Sequence, residues 1–125
     1  MKVIADSTVL FHLNYQQEKI LQVFREKNIT DLSITRINYI EILSGTSENA
    51  KTTAKKFLQK FEILEFDKQA VAIASKLAIK YRVSSKNSKD FLISAIAIAN
   101  NISLLTENNK DFNYKELKLI TYRIG

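Results

Sequence analysis

Lys2-Val3-Ile4-Ala5-Asp6-Ser7-Thr8-Val9-Leu10-Phe11-His12-Leu13 carries two structural signals back to back. Lys2–Ala5 is an apolar run too short for a helix and reads as a buried strand. Asp6-Ser7-Thr8 then has the side-chain acceptors of a helix start, and Val9–Leu13 supplies an apolar face. A strand that hands over at once to a helix predicts a crossover rather than a hairpin. The same alternation continues outward. Ile20, Leu21, Val23 and Phe24 give a second helix face, and Leu32–Ile34 a second strand. Thr35 reads as the N-cap of a helix through Ser44, with Gly45 as its stop. Glu48 to about Phe61 is a basic amphipathic helix and Ile63–Phe66 a third strand. Asp67 caps Lys68–Tyr81, a polar stretch Arg82–Lys89 follows, and an alanine-rich helix runs from Asp90 to about Asn100. Ser103–Leu105 and Leu117–Tyr122 complete about five strands. Short strands separated by helices predict right-handed crossovers and a parallel sheet covered on both faces, an α/β fold. Ligands of such sheets bind beyond the carboxyl ends of the strands, where the strand order reverses.

The 125 residues form one expected domain, 1–125, of ordinary globular composition, 46% hydrophobic and 26% charged. The absence of cysteine excludes disulfides, thiolate zinc and a cysteine nucleophile, and the lone His12 excludes chemistry that needs two imidazoles. His12 sits in an apolar run and reads as a packed or surface helix residue. No apolar stretch approaches a bilayer span, and Met1-Lys2-Val3-Ile4 runs into Asp6 rather than a signal core. A soluble, cytoplasmic protein without membrane contact is expected. Nineteen Lys and Arg against thirteen Asp and Glu leave a charge of +6. That surplus attracts polyanions, although a Lys-, Ile- and Asn-rich composition of the kind AT-rich genomes encode accounts for it equally well. The Lys51–Lys60 segment, with Lys55 and Lys56, reads as a solvated face or an RNA contact.

Four carboxylates stand where a ligand of such a fold would lie. Asp6 follows the first strand and serves as a helix cap, a ligand, or both. Glu41 falls on or at the edge of the stripe Ile37, Ile40, Leu43, where an ionised carboxylate is costly unless paired. Asp90 aligns with Ile93, Ser94 and Ala97; the helix dipole explains its type but not that alignment. Asp111 lies in Thr106-Glu107-Asn108-Asn109-Lys110-Asp111-Phe112 after the fourth strand, as a polar turn or a ligand loop. An oxygen-rich set without His or Cys suits Mg²⁺ or Mn²⁺. Such an ion relieves the mutual repulsion of the carboxylates and lowers the pKa of a bound water. Beside a basic surface the natural electrophile is a phosphodiester, with Lys86, Lys89 and, further off, Arg82 available for phosphate oxygens.

Val3-Ile4-Ala5-Asp6-Ser7-Thr8, Tyr39-Ile40-Glu41-Ile42-Leu43-Ser44-Gly45, Asp90-Phe91-Leu92-Ile93-Ser94-Ala95-Ile96-Ala97 and Leu104-Leu105-Thr106-Glu107-Asn108-Asn109-Lys110-Asp111-Phe112, in that order, resemble the PIN-domain family and within it the small VapC-type toxins of toxin–antitoxin pairs. The resemblance runs from Lys2 to Tyr122. It implies a three-layer α/β/α sandwich and a Mg²⁺- or Mn²⁺-dependent endoribonuclease that leaves a 5′ phosphate. By the same resemblance Asp6, Glu41 and Asp90 are the principal acidic positions and Asp111 the variable fourth, with Thr8, Thr106 and Asn108 in support. Asn108 stands where many relatives have Asp, so the fourth ligand is shared or water-mediated. The implied partners are an RNA substrate, a small cognate antitoxin and a second copy in a homodimer. Two other readings use the same residues. A non-catalytic RNA-binding scaffold treats Asp6, Asp67 and Asp90 as caps but leaves Glu41 unexplained. A receiver-like phosphoryl acceptor needs paired acids after the first strand, and only Asp6 is there.

Overall fold

Val3 and Ala5 point to one face of the first strand, Ile4 to the other, and all three are fully buried. A strand with no solvated face must be covered on both sides, which is the signature of a parallel sheet between helical layers. The computed structural model describes residues 1–124 and has that form. β1 (Lys2–Ala5) leads through α1 (Ser7–Tyr15) and α2 (Gln17–Glu26) to β2 (Asp31–Thr35). α3 (Arg36–Gly45), a 3₁₀ turn at Glu48–Ala50 and α4 (Lys51–Leu58) lead to β3 (Glu62–Leu64). α5 (Lys68–Lys80), a second 3₁₀ turn at Ser85–Asn87 and α6 (Ser88–Asn100) lead to β4 (Ser103–Thr106), and β5 (Leu119–Thr121) follows.

Among the described residues the five strands are all parallel, in the order β3-β2-β1-β4-β5. One core layer gathers Val9 and Leu10 of α1, Ile20 and Val23 of α2 and Leu58 of α4 against Val3, Ala5, Ile34 and Leu105. The opposite layer sets Ile93 and Ala97 of α6 against Ile4 and Leu104, closed by Phe112 and Leu117. α5, whose buried positions are Ala70, Ala74 and Leu77, packs along α6. The result is the expected three-layer α/β/α sandwich. No helix among the described residues is long and apolar enough to cross a membrane.

With glycine nearly absent, asparagine supplies the left-handed backbone that helix ends need. Asn28 and Asn101 have φ of 57° and 54°. Each closes a Schellman motif. Ile29 N–H donates to Phe24 O at 2.8 Å and Asn28 N–H to Arg25 O at 3.3 Å, while Ile102 and Asn101 donate to Ala97 O and Ile98 O at 3.1 Å each.

Several boundaries differ from the sequence expectation. Gly45 lies inside α3, and Thr46 takes the cap position with its N–H on Leu43 O. The segment from Glu48 is a 3₁₀ turn plus a short α-helix rather than one helix to Phe61. β3 starts at Glu62, whose carboxylate takes Ser33 and Lys2, and ends at Leu64 so that the chain can turn into the Asp67 cap. β5 is shorter than Leu117–Tyr122 because Leu117 serves as a core anchor and the Tyr122 side chain bonds His12. α6 begins at Ser88, so Asp90 is its third residue and not its start. Ile40 faces solvent at 56% exposure; the inward positions of α3 are Asn38 and the flanks Ile37, Tyr39, Ile42 and Leu43.

Candidate active site at the switch point of the sheet

β1 and β4 are neighbours at the centre of the sheet, joined in register at Ala5 and Leu105. From β1 the chain crosses to β2 on one side; β4 enters on the other. The strand order therefore reverses between these two strands, and a cleft opens beyond their carboxyl ends. Asp6 and Thr106 occupy that point. Asp6 N–H extends the ladder by donating to Leu105 O at 3.1 Å. Its Oδ1 accepts from Ser7 N–H at 2.8 Å, the capping bond of α1. Its Oδ2 accepts from Thr106 Oγ1 at 2.7 Å and from Thr8 Oγ1 at 3.5 Å. Cap and site residue are thus one side chain, 7% exposed.

Two hydrogen-bonded lines run from this centre. On one, Thr106 Oγ1 accepts Asn108 N–H at 3.0 Å, and Asn108 Nδ2 donates to Asp111 Oδ2 at 2.8 Å. Asn108 therefore orients the fourth carboxylate. On the other, Asn38 Nδ2 donates to Ser7 Oγ at 3.0 Å, and Ser7 Oγ donates to Glu41 Oε1 at 2.5 Å. Asn38 is fully buried and fixed at its other end, where Oδ1 accepts from Thr35 Oγ1 at 2.6 Å. The sequence reading missed Asn38. Its signal was a polar residue three positions after the Thr35 cap, where a capping box would ordinarily show Glu or Gln. Glu41 is not an inward charge: its side chain is 34% exposed and its Oε2 lies 3.4 Å from Lys89 Nζ.

Electrostatics tie the four acids together. Burial raises the Asp6 carboxyl above its usual range, with Glu41 adding to the rise and Thr106, Ser7 and Thr8 opposing it. Asp90 is pushed up to about 6, first by burial and then by Asp6, Asp111 and Glu41, with Lys89 pulling the other way. A carboxyl that feels three others shares a neighbourhood with them. Its backbone carbonyl accepts Ser94 Oγ at 2.7 Å. The donors are all oxygens, the chemistry that fits Mg²⁺ or Mn²⁺. As the side chains stand, no three His, Cys, Asp or Glu among the described residues close on one ion. Lys86 and Arg82 are exposed on the segment leading to α6 and Lys89 on its first turn. His12 is a core residue, 7% exposed, bonded through Nδ1 to Tyr122 OH at 2.7 Å. Beside Ser7 and Glu41 a groove of about 1100 Å³ opens between α1, α3 and α4, lined by Phe11, Tyr15, Ile42 and Phe57 among others.

A three-layer α/β sandwich with acidic side chains gathered at its central switch point defines a small class of proteins. Residues 3–117 match the family model of the PIN domain, and the chain belongs to that family, whose members are generally nucleases. No curated protein sequence matches it. Among solved structures it is similar to a chain of VapBC2 from Rickettsia felis bound to a promoter DNA fragment, with 21% identity, a TM-score of 0.77 and coverage of 98% of this chain and 100% of the other. VapBC-1 from nontypeable Haemophilus influenzae gives 20%, 0.77, 97% and 98% for the same measures, and FitAcB from Neisseria gonorrhoeae 17%, 0.73, 97% and 97%. At these identities the likeness is one of fold.

Proposed function

We propose that this chain is a metal-dependent endoribonuclease that hydrolyses RNA phosphodiester bonds, and the toxin of a toxin–antitoxin pair. The observation that carries the reading is the convergence of Asp6, Glu41, Asp90 and Asp111 on one rim, expressed in the raised carboxyl of Asp90. Asp6 and Asp90 would hold Mg²⁺ or Mn²⁺ directly, with Glu41 and Asp111 acting through water or orienting the attacking water. When bound, the ion supplies Lewis acidity and a water of lowered pKa. The chain's own contribution is position. Ser7 and Thr106 fix the two oxygens of Asp6, Ser7 holds one oxygen of Glu41, and Asn108 aims Asp111. Lys89, whose Nζ lies 3.4 Å from Glu41 Oε2, would take a phosphate oxygen beside the carboxylates. Lys86 and Arg82 extend the basic border.

The test is cleavage of RNA by the wild type and by Asp6→Asn and Asp90→Asn, with Mg²⁺, with Mn²⁺ and with chelator. Each variant is expected to lose roughly a hundredfold or more in rate. Metal-dependent cleavage retained by both variants, in nuclease-free preparations, ends the reading.

The groove beside Glu41 supports the partner half of the proposal. It joins the acidic rim to exposed Phe11 and Tyr15, whose rings meet tilted at 4.7 Å, where an antitoxin segment would bury apolar side chains and bring a basic one to the carboxylates. Co-purification with the product of the neighbouring open reading frame tests it. A second reading, a non-catalytic RNA-binding scaffold, uses the same charge of +6 and the exposed Arg82, Lys86 and Lys89. RNA binding indifferent to Mg²⁺, without cleavage, would select that alternative.

A further inference from the structure

Asn38 is fully buried, yet a helix cap asks for no burial: Glu or Gln at the same position closes a capping box from the surface. Burying a carboxamide is costly unless both of its ends find partners. Thr35 fixes which end is which. Its backbone N–H can only donate, so the atom facing it at 3.3 Å is Oδ1, which also accepts Thr35 Oγ1 at 2.6 Å. Nδ2 is thereby turned from the cap toward α1, where Ser7 Oγ accepts it at 3.0 Å. An amide N–H cannot accept, so the single proton of Ser7 goes to Glu41 Oε1, 2.5 Å away. An ionised aspartate would serve the cap as well but has no donor for Ser7, and a leucine has neither group.

The side-chain donors of Thr35, Asn38 and Ser7 therefore all point one way, and the line ends on a carboxylate. Its effect on Glu41 is geometric. Oε1 is held, and Oε2 is the oxygen that remains, on the side where Lys89 Nζ of α6 lies 3.4 Å from it. A carboxylate held in advance has less rotamer freedom to give up when it meets a ligand. Resting on the metal-dependent nuclease reading, we propose that Asn38 is a positioning residue. Through Ser7 it presets Glu41 to meet a divalent ion, or a water bound to that ion, with Oε2 alone, and it thereby raises the affinity of the site for the ion.

The experiment titrates Mn²⁺ into the wild type, Asn38→Ala and Ser7→Ala without RNA, and reads the free ion by its electron paramagnetic resonance signal. The same two substitutions are then made on Glu41→Gln. In the first series each is expected to weaken Mn²⁺ binding about tenfold, the scale of losing a partner that orients a metal-binding side chain. On Glu41→Gln they should change affinity little, because the carboxylate they act on is gone. Ser7→Thr keeps the hydroxyl and should bind as the wild type does. Ser7→Ala spares both helix caps, since Asp6 Oδ1 accepts from the Ser7 backbone N–H and the Thr35 box does not involve Ser7. Should Asn38→Ala melt below the assay temperature, Asn38→Asp, which keeps the capping acceptor and loses the donor, takes its place in the same cycle. A purely structural role would lower the melting temperature and leave Mn²⁺ affinity unchanged, and that result overturns the proposal. Equal losses with and without the Glu41 carboxylate overturn it too. Cleavage of RNA by the wild type is scored separately. Mn²⁺ affinities that follow the expected pattern without cleavage would remove the nuclease reading and leave the positioning role; cleavage with unaltered affinities would do the reverse. A wild type that binds no Mn²⁺ overturns both.

Discussion

Asp90 shows how a single residue is set against the stability of the fold. Its carboxyl is raised from 3.8 to about 6 by burial and three acidic neighbours. A carboxyl that holds its proton more tightly when folded makes ionisation a cost to the folded state. The cost is absent below the unfolded value, grows between 3.8 and about 6, and is fully present above that range. Near neutral pH Asp90→Asn is therefore expected to stabilise the metal-free protein by roughly 1–2 kcal/mol, the separation of the two values discounted for a half-exposed position. Thermal melts at neutral pH should show the gain, and melts below the unfolded value should show none. Excess Mg²⁺ should close the gap at neutral pH, because only the wild type recovers binding energy from the ion. Asn38 lies at the opposite extreme. It carries no charge, is fully buried, and reaches Glu41 only through Ser7.

At the scale of the element, the helix ends determine which residues reach the cleft. The two Schellman closures depend on Asn28 and Asn101 in left-handed backbone. A β-branched residue resists that conformation, so Asn28→Ile or Asn101→Ile should each cost about 1 kcal/mol or more. Asn28→Gly and Asn101→Gly should be close to neutral, and urea unfolding distinguishes the two classes. These ends are hard to read in sequence because Gly, the usual marker, is absent from them, and of the two glycines Gly45 lies within α3. β1 was legible because an apolar tetrad that runs into Asp has few other fates. Asp6, Asp90 and Asp111 were legible as positions, since strand ends and first helical turns follow from element order. Their geometry was not. Ile40 looked inward by type and lies outward, because α3 sits across the rim and buries Asn38 instead. The start of α6 was misplaced because Asn87 precedes it without a side-chain cap bond, so no local signal marks Ser88. The bonds from Thr106 to Asp6 and from Asn38 to Ser7 join residues far apart in the chain, which no local pattern encodes.

Taken whole, the molecule balances a cationic exterior against an acidic cleft. The net charge of +6 attracts polyanions; on the proposed reading the carboxylates would hold RNA phosphates off until a divalent ion or a basic side chain intervened. If Lys86 touches a phosphate, Lys86→Ala should weaken binding to every single-stranded sequence alike and make the slope of log affinity against log salt shallower by about 0.7. A titration of affinity against NaCl reads that slope. The bond from Thr106 to Asp6 spans 100 positions and joins the first strand to the fourth. Asp6 lacks its Thr106 partner, and the cleft that also holds Glu41 and Asp90 stays incomplete, until β4 has docked beside β1. The cleft is therefore a property of the closed sheet and not of any one of its segments, and a fragment that lacks β4 has no such centre.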